Sequence, residues 1–211
     1  MIAPAIRLAI FDADGTLVDS FPWFCSVVNE VARRHGFREA REDEVDKLRG
    51  MRTREIMREL SIPVWKVPSI ARDLRALKLD AAAELRPFPG THDLLATLHA
   101  RGVKLAIVSS DSERSIRRTL GPETSGLISM FRCDASLFGK AGRLKATLRD
   151  AVVPAAEAIY VGDETRDAVA AKKAGLRFGA STWGYASEAA LRASDPDLVF
   201  SRLEDVADLL S

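Results

Sequence analysis

Short apolar runs alternate with amphipathic helical patterns along most of this chain. The apolar runs at residues 7–11, 103–108 and 158–161 each end in a polar cluster, which is typical of buried strands. Weaker strand candidates lie at residues 177–180 and 198–200, and helical patterns lie at residues 91–100, 112–120, 143–151, 165–174 and 203–210. This alternation predicts an α/β fold in which a parallel sheet carries helices on both faces.

One long segment interrupts the alternation, because residues 22–85 contain helical patterns and no convincing strand. Its helices are predicted at residues 23–35, 42–48, 53–60 and 67–84. The Pro-Phe-Pro-Gly sequence at residues 87–90 indicates a turn that returns the chain to the sheet. We therefore predict an α/β core domain, residues 1–20 and 87–211, and an inserted all-helical domain, residues 21–86.

The composition is that of an ordinary globular protein, and it argues against several classes of partner. The 211 residues include 31 Lys and Arg against 30 Asp and Glu, so no basic excess favours nucleic acid or an anionic membrane. Hydrophobic residues make up 47%, which argues against a disordered chain. No apolar run approaches the roughly 18 residues of a membrane span. The two cysteines form no C-x-x-C motif and suit a reducing compartment, so we expect a cytoplasmic protein.

Acidic residues follow two of the strong strand candidates directly. Asp12 and Asp14 come after residues 7–11, and in an extended chain their side chains point to the same side. Asp163 ends another strand, and Asp167 falls in the first turn of the next helix. Ligand sites of open parallel sheets lie beyond the carboxyl ends of the strands, so these carboxylates are expected to face one crevice. An acidic turn or a helix start would look the same locally, but this many hard oxygen ligands suits Mg²⁺.

Two further groups would complete a phosphate site at the same edge of the sheet. The strand at residues 103–108 ends in Ser109 and Ser110, which offer hydroxyl and backbone N–H donors to a phosphate oxygen. Helix capping is the alternative, and it fits Ser110 or Ser112, at the start of the next predicted helix, better than Ser109. Lys140, in a glycine-flanked loop before a helix, could reach phosphate and carboxylates together, unless it is a solvated surface lysine. Its rival, Lys145, falls inside the amphipathic helix.

The combined pattern resembles the haloacid dehalogenase superfamily. The four clusters occur in the order of that superfamily's motifs: Asp12-Ala-Asp14-Gly15-Thr16, Ser109, Lys140, and Gly162-Asp163 to Asp167. Residues 17–20, 87–90 and 182–185 resemble its phosphoglycolate-phosphatase-like branch, so the resemblance covers nearly the whole chain. It implies a Rossmann-like core with a helical cap inserted after the first motif. One departure is Ala141, because the family often has proline after the motif lysine.

The resemblance also implies a role for each motif residue. Asp12 would be the nucleophile that forms an aspartyl-phosphate, and Asp14 would be the general acid and base. Mg²⁺ would be held by Asp12, the backbone carbonyl of Asp14 and Asp163, with Asp167 beside them. The groups implied for binding the phosphorylated substrate are Gly15, Thr16, Ser109, Ser110 and Lys140.

The identity of residue 14 separates the reaction classes within this resemblance. Dehalogenases and phosphonate-cleaving relatives lack an acid two residues after the nucleophile, so Asp14 favours phosphate-ester chemistry. The resemblance therefore implies an Mg²⁺-dependent phosphatase acting on a small phosphorylated metabolite similar to phosphoglycolate. A sugar phosphomutase of the β-phosphoglucomutase type is the alternative, and an inactive binding protein on the same fold is a less favoured third.

The helical segment is basic, which bears on the substrate. Between residues 33 and 78 there are 13 Lys or Arg and 8 Asp or Glu. Arg49 or Arg52 could bind a second anionic group of the substrate, although a solvated helix face is the alternative. We favour Arg49, because the adjacent Gly50 allows a close approach. Whether the protein is a monomer or a homodimer is left open by the sequence.

Overall fold

Six strands form one parallel sheet in the computed structural model, which describes residues 5–136 and 139–209. The strands are β1 (Leu8–Phe11), β2 (Lys104–Val108), β3 (Met130–Arg132), β4 (Ala158–Gly162), β5 (Arg177–Ser181) and β6 (Leu198–Phe200). Their order across the sheet is β3-β2-β1-β4-β5-β6, and every neighbouring pair is parallel. The predicted fold class, a parallel α/β sheet of the Rossmann-like kind, is therefore confirmed.

Ten helices within the described residues complete the fold. They are α1 (Phe21–His35), α2 (Val45–Arg49), α3 (Thr53–Glu59), α4 (Val67–Ala81), α5 (Thr91–Ala100), α6 (Glu113–Gly126), α7 (Lys140–Ala151), α8 (Thr165–Ala174), α9 (Glu188–Arg192) and α10 (Leu203–Leu209). None of them is long and apolar enough to cross a lipid bilayer.

Two clusters of buried apolar side chains cover the two faces of the sheet. Along β1, Ala9 and Phe11 point into one cluster, whereas Leu8 and Ile10 point into the other. This alternation is the two-residue period of a strand, and here both faces are covered by helices. Helices α5 and α10 contribute to the first cluster, and α7 and α8 contribute to the second. Strand β1 is therefore packed on both faces, and it holds Asp12, which follows Phe11, in a fixed position.

The helical segment between β1 and α5 has a buried cluster of its own. Helices α1 to α4 occupy it, and they enclose a small apolar core that includes Val31, Leu48, Leu60 and Ile70. The predicted helix at residues 42–48 divides into a 3₁₀ turn, Glu42–Glu44, followed by α2. The division of the chain into a core and a cap domain stays a prediction.

The structure adds two elements that the hydrophobic pattern did not predict. Strand β3 has only three residues, all half-buried, and α9 has five, so neither is long enough to show a period. The helix predicted at residues 112–120 continues as α6 past a break at Gly121, where φ is +77°. Residue 210 of the last predicted helix lies outside the described residues.

Candidate active site

Three buried carboxylates meet where β1 and β4 end. The two strands are paired with Phe11 opposite Val161, so Asp12 and Asp163 come off the sheet near one another. Asp167 joins them from the first turn of α8. One oxygen of each carboxylate lies within 4.8 Å of the other two, and all three residues are at most 2% exposed. The structure thus brings together three of the four carboxylates that the sequence analysis selected.

The turn after β1 packs directly against Asp163. Gly15 has φ of +70°, and its backbone N–H donates to the carbonyl of Val18 at 2.9 Å. A Cβ atom at Gly15 would lie 2.1 Å from Oδ2 of Asp163, so no side chain fits there. The Thr16 hydroxyl donates to Oδ1 of Asp163 at 2.8 Å. Thr16 therefore orients this carboxylate, and substrate binding by Gly15 and Thr16 stays a prediction.

A second loop, residues 182–187 after β5, holds the other oxygen of Asp163. The backbone N–H of Tyr185 donates to Oδ2 at 2.8 Å. A Cβ atom at Gly184 would lie 2.3 Å from that same oxygen and 2.4 Å from the carbonyl oxygen of Gly15. The two loops and the carboxylate thus interlock, and the fit depends on two glycines.

Lys140 is the buried cation of the site. It is the first residue of α7, not part of the preceding loop as predicted, and it is 2% exposed. Its ammonium donates to Oδ2 of Asp12 and, at 2.7 Å, to Oδ1 of Asp167. Burial opposes its charge, but the two carboxylates raise the pKa of Lys140 above its usual value. The rival, Lys145, is exposed, and Ala141 in place of proline leaves this arrangement intact.

The negative charge of the cluster is unevenly compensated. Burial raises the pKa of Asp12 to about 6, although Lys140 opposes that shift. Burial, together with the neighbouring carboxylates of Glu164, Asp12 and Asp167, raises the pKa of Asp163 well above its usual value. Asp167 is buried too, but Lys140 and Arg166 lower its pKa. Of these carboxylates, Asp163 has the most neighbouring negative charge. A bound cation would offset that charge.

The donor set fits a hard divalent cation. Asp12, Asp163 and Asp167 offer carboxylate oxygens, which Mg²⁺ prefers over softer ligands. The carboxylate of Asp14 is not part of this cluster. The role predicted for the carbonyl of Asp14 stays a prediction.

Ser109 and Ser110 flank the carboxylates on the other side of β1. Ser109 follows β2 and is fully buried, and its Oγ accepts the backbone N–H of Asp111 at 3.2 Å. Ser110 is half-buried. The residue that caps α6 is Ser112, as predicted, and its Oγ accepts the backbone N–H of Ser115 at 3.2 Å. Ser109 is therefore held at the same strand edge as Asp12.

Asp14 faces the helical segment, where it meets a residue that the sequence analysis missed. Oδ1 of Asp14 accepts the Ser20 hydroxyl at 2.7 Å and the ammonium of Lys78. Lys78, on α4, also donates to Oδ2 of Asp111 at 2.6 Å and is 5% exposed. Coulombic attraction to Asp14 and Asp111 outweighs burial and raises the pKa of Lys78. Its sequence signal is its position eight residues after Ile70 on the stripe of α4 that packs inward.

Arg49 docks the helical segment onto the core. Its Nε donates to the carbonyl of Tyr185 at 3.0 Å, and one terminal nitrogen donates to the carbonyl of Gly184, also at 3.0 Å. The guanidinium lies over the ring of Phe21, 5.0 Å from its centroid. Arg52 is exposed at the start of α3. Arg49 is engaged with the main chain here, and substrate binding by either arginine stays a prediction.

The chain belongs to the haloacid dehalogenase-like hydrolase family, whose family model matches residues 9–181. It is 36% identical to a phosphoglycolate phosphatase of Synechococcus elongatus over 209 residues, which cover 97% of this chain and 96% of the relative. It is 27% identical to a phosphoglycolate phosphatase of Pseudomonas fluorescens, with 93% of this chain and 77% of the relative covered. Family and relatives confirm the predicted enzyme class, a phosphoric monoester hydrolase.

Solved structures share the fold. A haloacid dehalogenase-like family hydrolase from Streptococcus pneumoniae superposes with a TM-score of 0.78 at 21% identity, covering 98% of this chain and 99% of that one. CbbY from Rhodobacter sphaeroides, solved in complex with phosphate, superposes with a TM-score of 0.72 at 22% identity, covering 95% and 96%. At these identities the likeness supports the architecture alone.

Replacing Gly184 with alanine should damage both stability and activity. The new Cβ would collide with Asp163 and with the backbone of Gly15, so the loop or the carboxylate must move. We expect Gly184→Ala to lower the free energy of unfolding by about 1–3 kcal/mol, as overpacking commonly does. Thermal unfolding and phosphate-release assays measure the two effects.

Gly142→Ala is the matched control. Gly142 lies inside α7 with nothing within 4 Å of the added Cβ. That variant should keep full activity and gain about 0.5–1 kcal/mol, because alanine favours a helix interior over glycine. Equal behaviour of the two variants would contradict the interlocked arrangement of the loops.

Proposed function

We propose that this phosphoric monoester hydrolase cleaves a small, acidic phosphate ester through an aspartyl-phosphate on Asp12, with Mg²⁺ as its metal. The observation that carries the proposal is the contact of one buried ammonium, Lys140, with both Asp12 and Asp167, beside Asp163. A nucleophilic carboxylate needs a nearby cation to approach a phosphate dianion. A second carboxylate, Asp14, lies two residues further on and is available for proton transfer.

In the proposed first step, a carboxylate oxygen of Asp12 attacks phosphorus as the bond to the ester oxygen breaks. Asp14 gives its proton to that departing oxygen, so the alcohol leaves neutral. In the second step Asp14 takes a proton from water, the hydroxyl attacks phosphorus, and Asp12 is released with inorganic phosphate. Lys140 balances the charge of Asp12 throughout, and Ser109 donates to the transferring group. Phosphoryl transfer depends mainly on such positioning and charge stabilisation.

The proposed metal would be held by Asp12 and Asp163, with Asp167 beside them. A bound Mg²⁺ would supply positive charge opposite the phosphate oxygens. The proposal is supported by burial and by the neighbouring carboxylates of Glu164, Asp12 and Asp167, which raise the pKa of Asp163, while Lys140 donates to Asp12 and Asp167.

The helical segment is proposed to act as a cap that closes over the site. Asp12, Ser109 and Lys140 are at most 2% exposed, and Lys78 reaches Asp14 from α4. Substrate entry therefore requires this segment to move away from the core. Closure excludes water, which strengthens the electrostatic contacts inside the site.

Lys78 is our proposed partner for an acidic group on the substrate. It lies next to Asp14, and Asp14 must approach the ester oxygen to protonate it. In phosphoglycolate the carboxylate is attached one carbon from that oxygen, so it would come close to Lys78. The curated relatives from Synechococcus elongatus and Pseudomonas fluorescens are phosphoglycolate phosphatases, which supports this class of substrate.

Asp12→Asn should abolish turnover while leaving the fold intact. The amide is nearly the same size as the carboxylate, but it is too weak a nucleophile to form the acyl phosphate. Loss of one member of a catalytic group commonly costs several orders of magnitude. Steady-state assays with phosphoglycolate and p-nitrophenyl phosphate measure the rate, and circular dichroism checks the fold. Retention of more than roughly a tenth of the wild-type rate would rule Asp12 out as the nucleophile.

Removal of divalent cations should abolish activity. EDTA should remove the activity, and Mg²⁺ added afterwards should restore it. Ca²⁺ should support the reaction poorly, because its coordination shell is larger and looser. Calorimetric titration of Mg²⁺ into wild type and Asp163→Asn gives an independent measurement, with weaker binding expected in the variant. Full activity of protein shown by elemental analysis to be free of metal would overturn the metal requirement.

The substrate preferences of two variants should show whether Lys78 or Arg49 binds the acidic group of the substrate. We expect Lys78→Gln to lower the ratio of kcat/KM for phosphoglycolate over ethyl phosphate, an alkyl ester that needs the same acid and has no carboxylate, by about 10-fold or more, the size of a lost charged hydrogen bond. Arg49→Gln should weaken docking of the helical segment, so both substrates should suffer equally. A ratio that falls only in Arg49→Gln would assign the acidic group to Arg49 instead.

A further inference from the structure

Two hydrogen bonds in series, from Tyr185 to Ser20 and from Ser20 to Asp14, lead to the proposed general acid; we call them the relay. The Ser20 hydroxyl donates to Oδ1 of Asp14 at 2.7 Å, and the Tyr185 hydroxyl lies 3.1 Å from the Ser20 oxygen. A serine hydroxyl has one proton, and here it is given to Asp14. Tyr185 must therefore be the donor in its contact with Ser20. Both hydrogen bonds then point towards the carboxylate.

Tyr185 is held from several sides, so its hydroxyl has a fixed position. Its ring packs against Phe21 at 5.0 Å and Phe24 at 5.5 Å between centroids. Its carbonyl accepts from Arg49, and its backbone N–H donates to Asp163.

The two oxygens of Asp14 are consequently unequal. Oδ1 accepts both Ser20 and Lys78, and a proton on that oxygen would compete with these donors. When Asp14 is protonated, the proton therefore belongs on Oδ2. An acid whose proton is confined to one oxygen in the closed site is already oriented when the ester bond breaks, which favours transfer of the proton.

We propose that Tyr185 is a positioning residue: through Ser20 it holds Oδ1 of Asp14 and so reserves Oδ2 as the oxygen that protonates the leaving group. This rests on the proposed function, in which Asp14 is the acid. As the ester P–O bond breaks and the bond from phosphorus to Asp12 forms, the proton moves from Oδ2 to the ester oxygen. Asp14 is left as a carboxylate that still accepts from Ser20.

The test compares two aryl phosphates whose leaving groups differ in their need for a proton. The p-nitrophenolate ion leaves readily without one, whereas phenol leaves from phenyl phosphate with help from an acid. The parameter is kcat/KM, because it reports only the steps up to the first phosphoryl transfer. Tyr185→Phe removes the hydroxyl and keeps the ring. We expect phenyl phosphate to lose about 3- to 10-fold and p-nitrophenyl phosphate less than about twofold, the size of one neutral hydrogen bond.

Ser20→Ala supplies the matched comparison. It should reproduce the selective loss, and adding Tyr185→Phe to it should change kcat/KM little further, because Tyr185 acts through Ser20. If Tyr185→Phe fails to fold, an unselective loss in Ser20→Ala still overturns the relay, because the proposed path from Tyr185 to Asp14 runs through Ser20. Equal losses on both substrates in these variants, or losses that add in the double variant, would overturn it.

Asp14→Asn distinguishes failure of this inference from failure of the proposed function. A loss in Asp14→Asn that is greater for phenyl phosphate supports Asp14 as the acid. With that result, an unselective loss in Tyr185→Phe and Ser20→Ala overturns the relay alone. A loss in Asp14→Asn that is equal for both substrates overturns the proposed acid and, with it, the relay.

Discussion

The burial of several carboxylates at one edge of the sheet is the constraint on which the rest of the site depends. Asp12, Asp163 and Asp167 lie out of contact with water, where unpaired charge is costly. Lys140 compensates Asp12 and Asp167 directly. The remaining charge near Asp163 is distributed over hydrogen bonds from Thr16 and the backbone of Tyr185. Buried negative charge of this kind favours the binding of a cation.

The loops around Asp163 link the buried carboxylates to the helical segment. Gly15 and Gly184 allow the loops after β1 and β5 to touch the carboxylate, and Arg49 binds the outer side of the second loop. Lys78, on α4, donates a hydrogen bond from its ammonium to Asp14. The helical segment thus contacts the proposed acid and the loop that holds the proposed metal ligand. Its position and the geometry of the site are linked through these contacts.

The sequence predicts most of the fold and part of the site for identifiable physical reasons. Buried parallel strands are continuous apolar runs, so the β1 and β4 ends, with Asp12 and Asp163, stand out in the sequence. Strand β3 could not be found, because three half-buried residues show no period. Lys78 resembles the other cations of a basic helix, and the one sign of its burial in the sequence is its spacing from Ile70 on α4. The hydrogen bonds that Arg49 donates to the loop after β5 end on main-chain carbonyls, which leave no signal in the sequence.

Detection of the covalent intermediate is the most direct test of the central claim. Enzyme mixed with phosphoglycolate or p-nitrophenyl phosphate is quenched in acid during turnover, digested, and examined by mass spectrometry for phosphate bound to its peptides. We expect phosphate on the carboxylate of Asp12, labile to hydroxylamine and absent from Asp12→Asn. Turnover without phosphate on that peptide, or with phosphate on another residue, would contradict it.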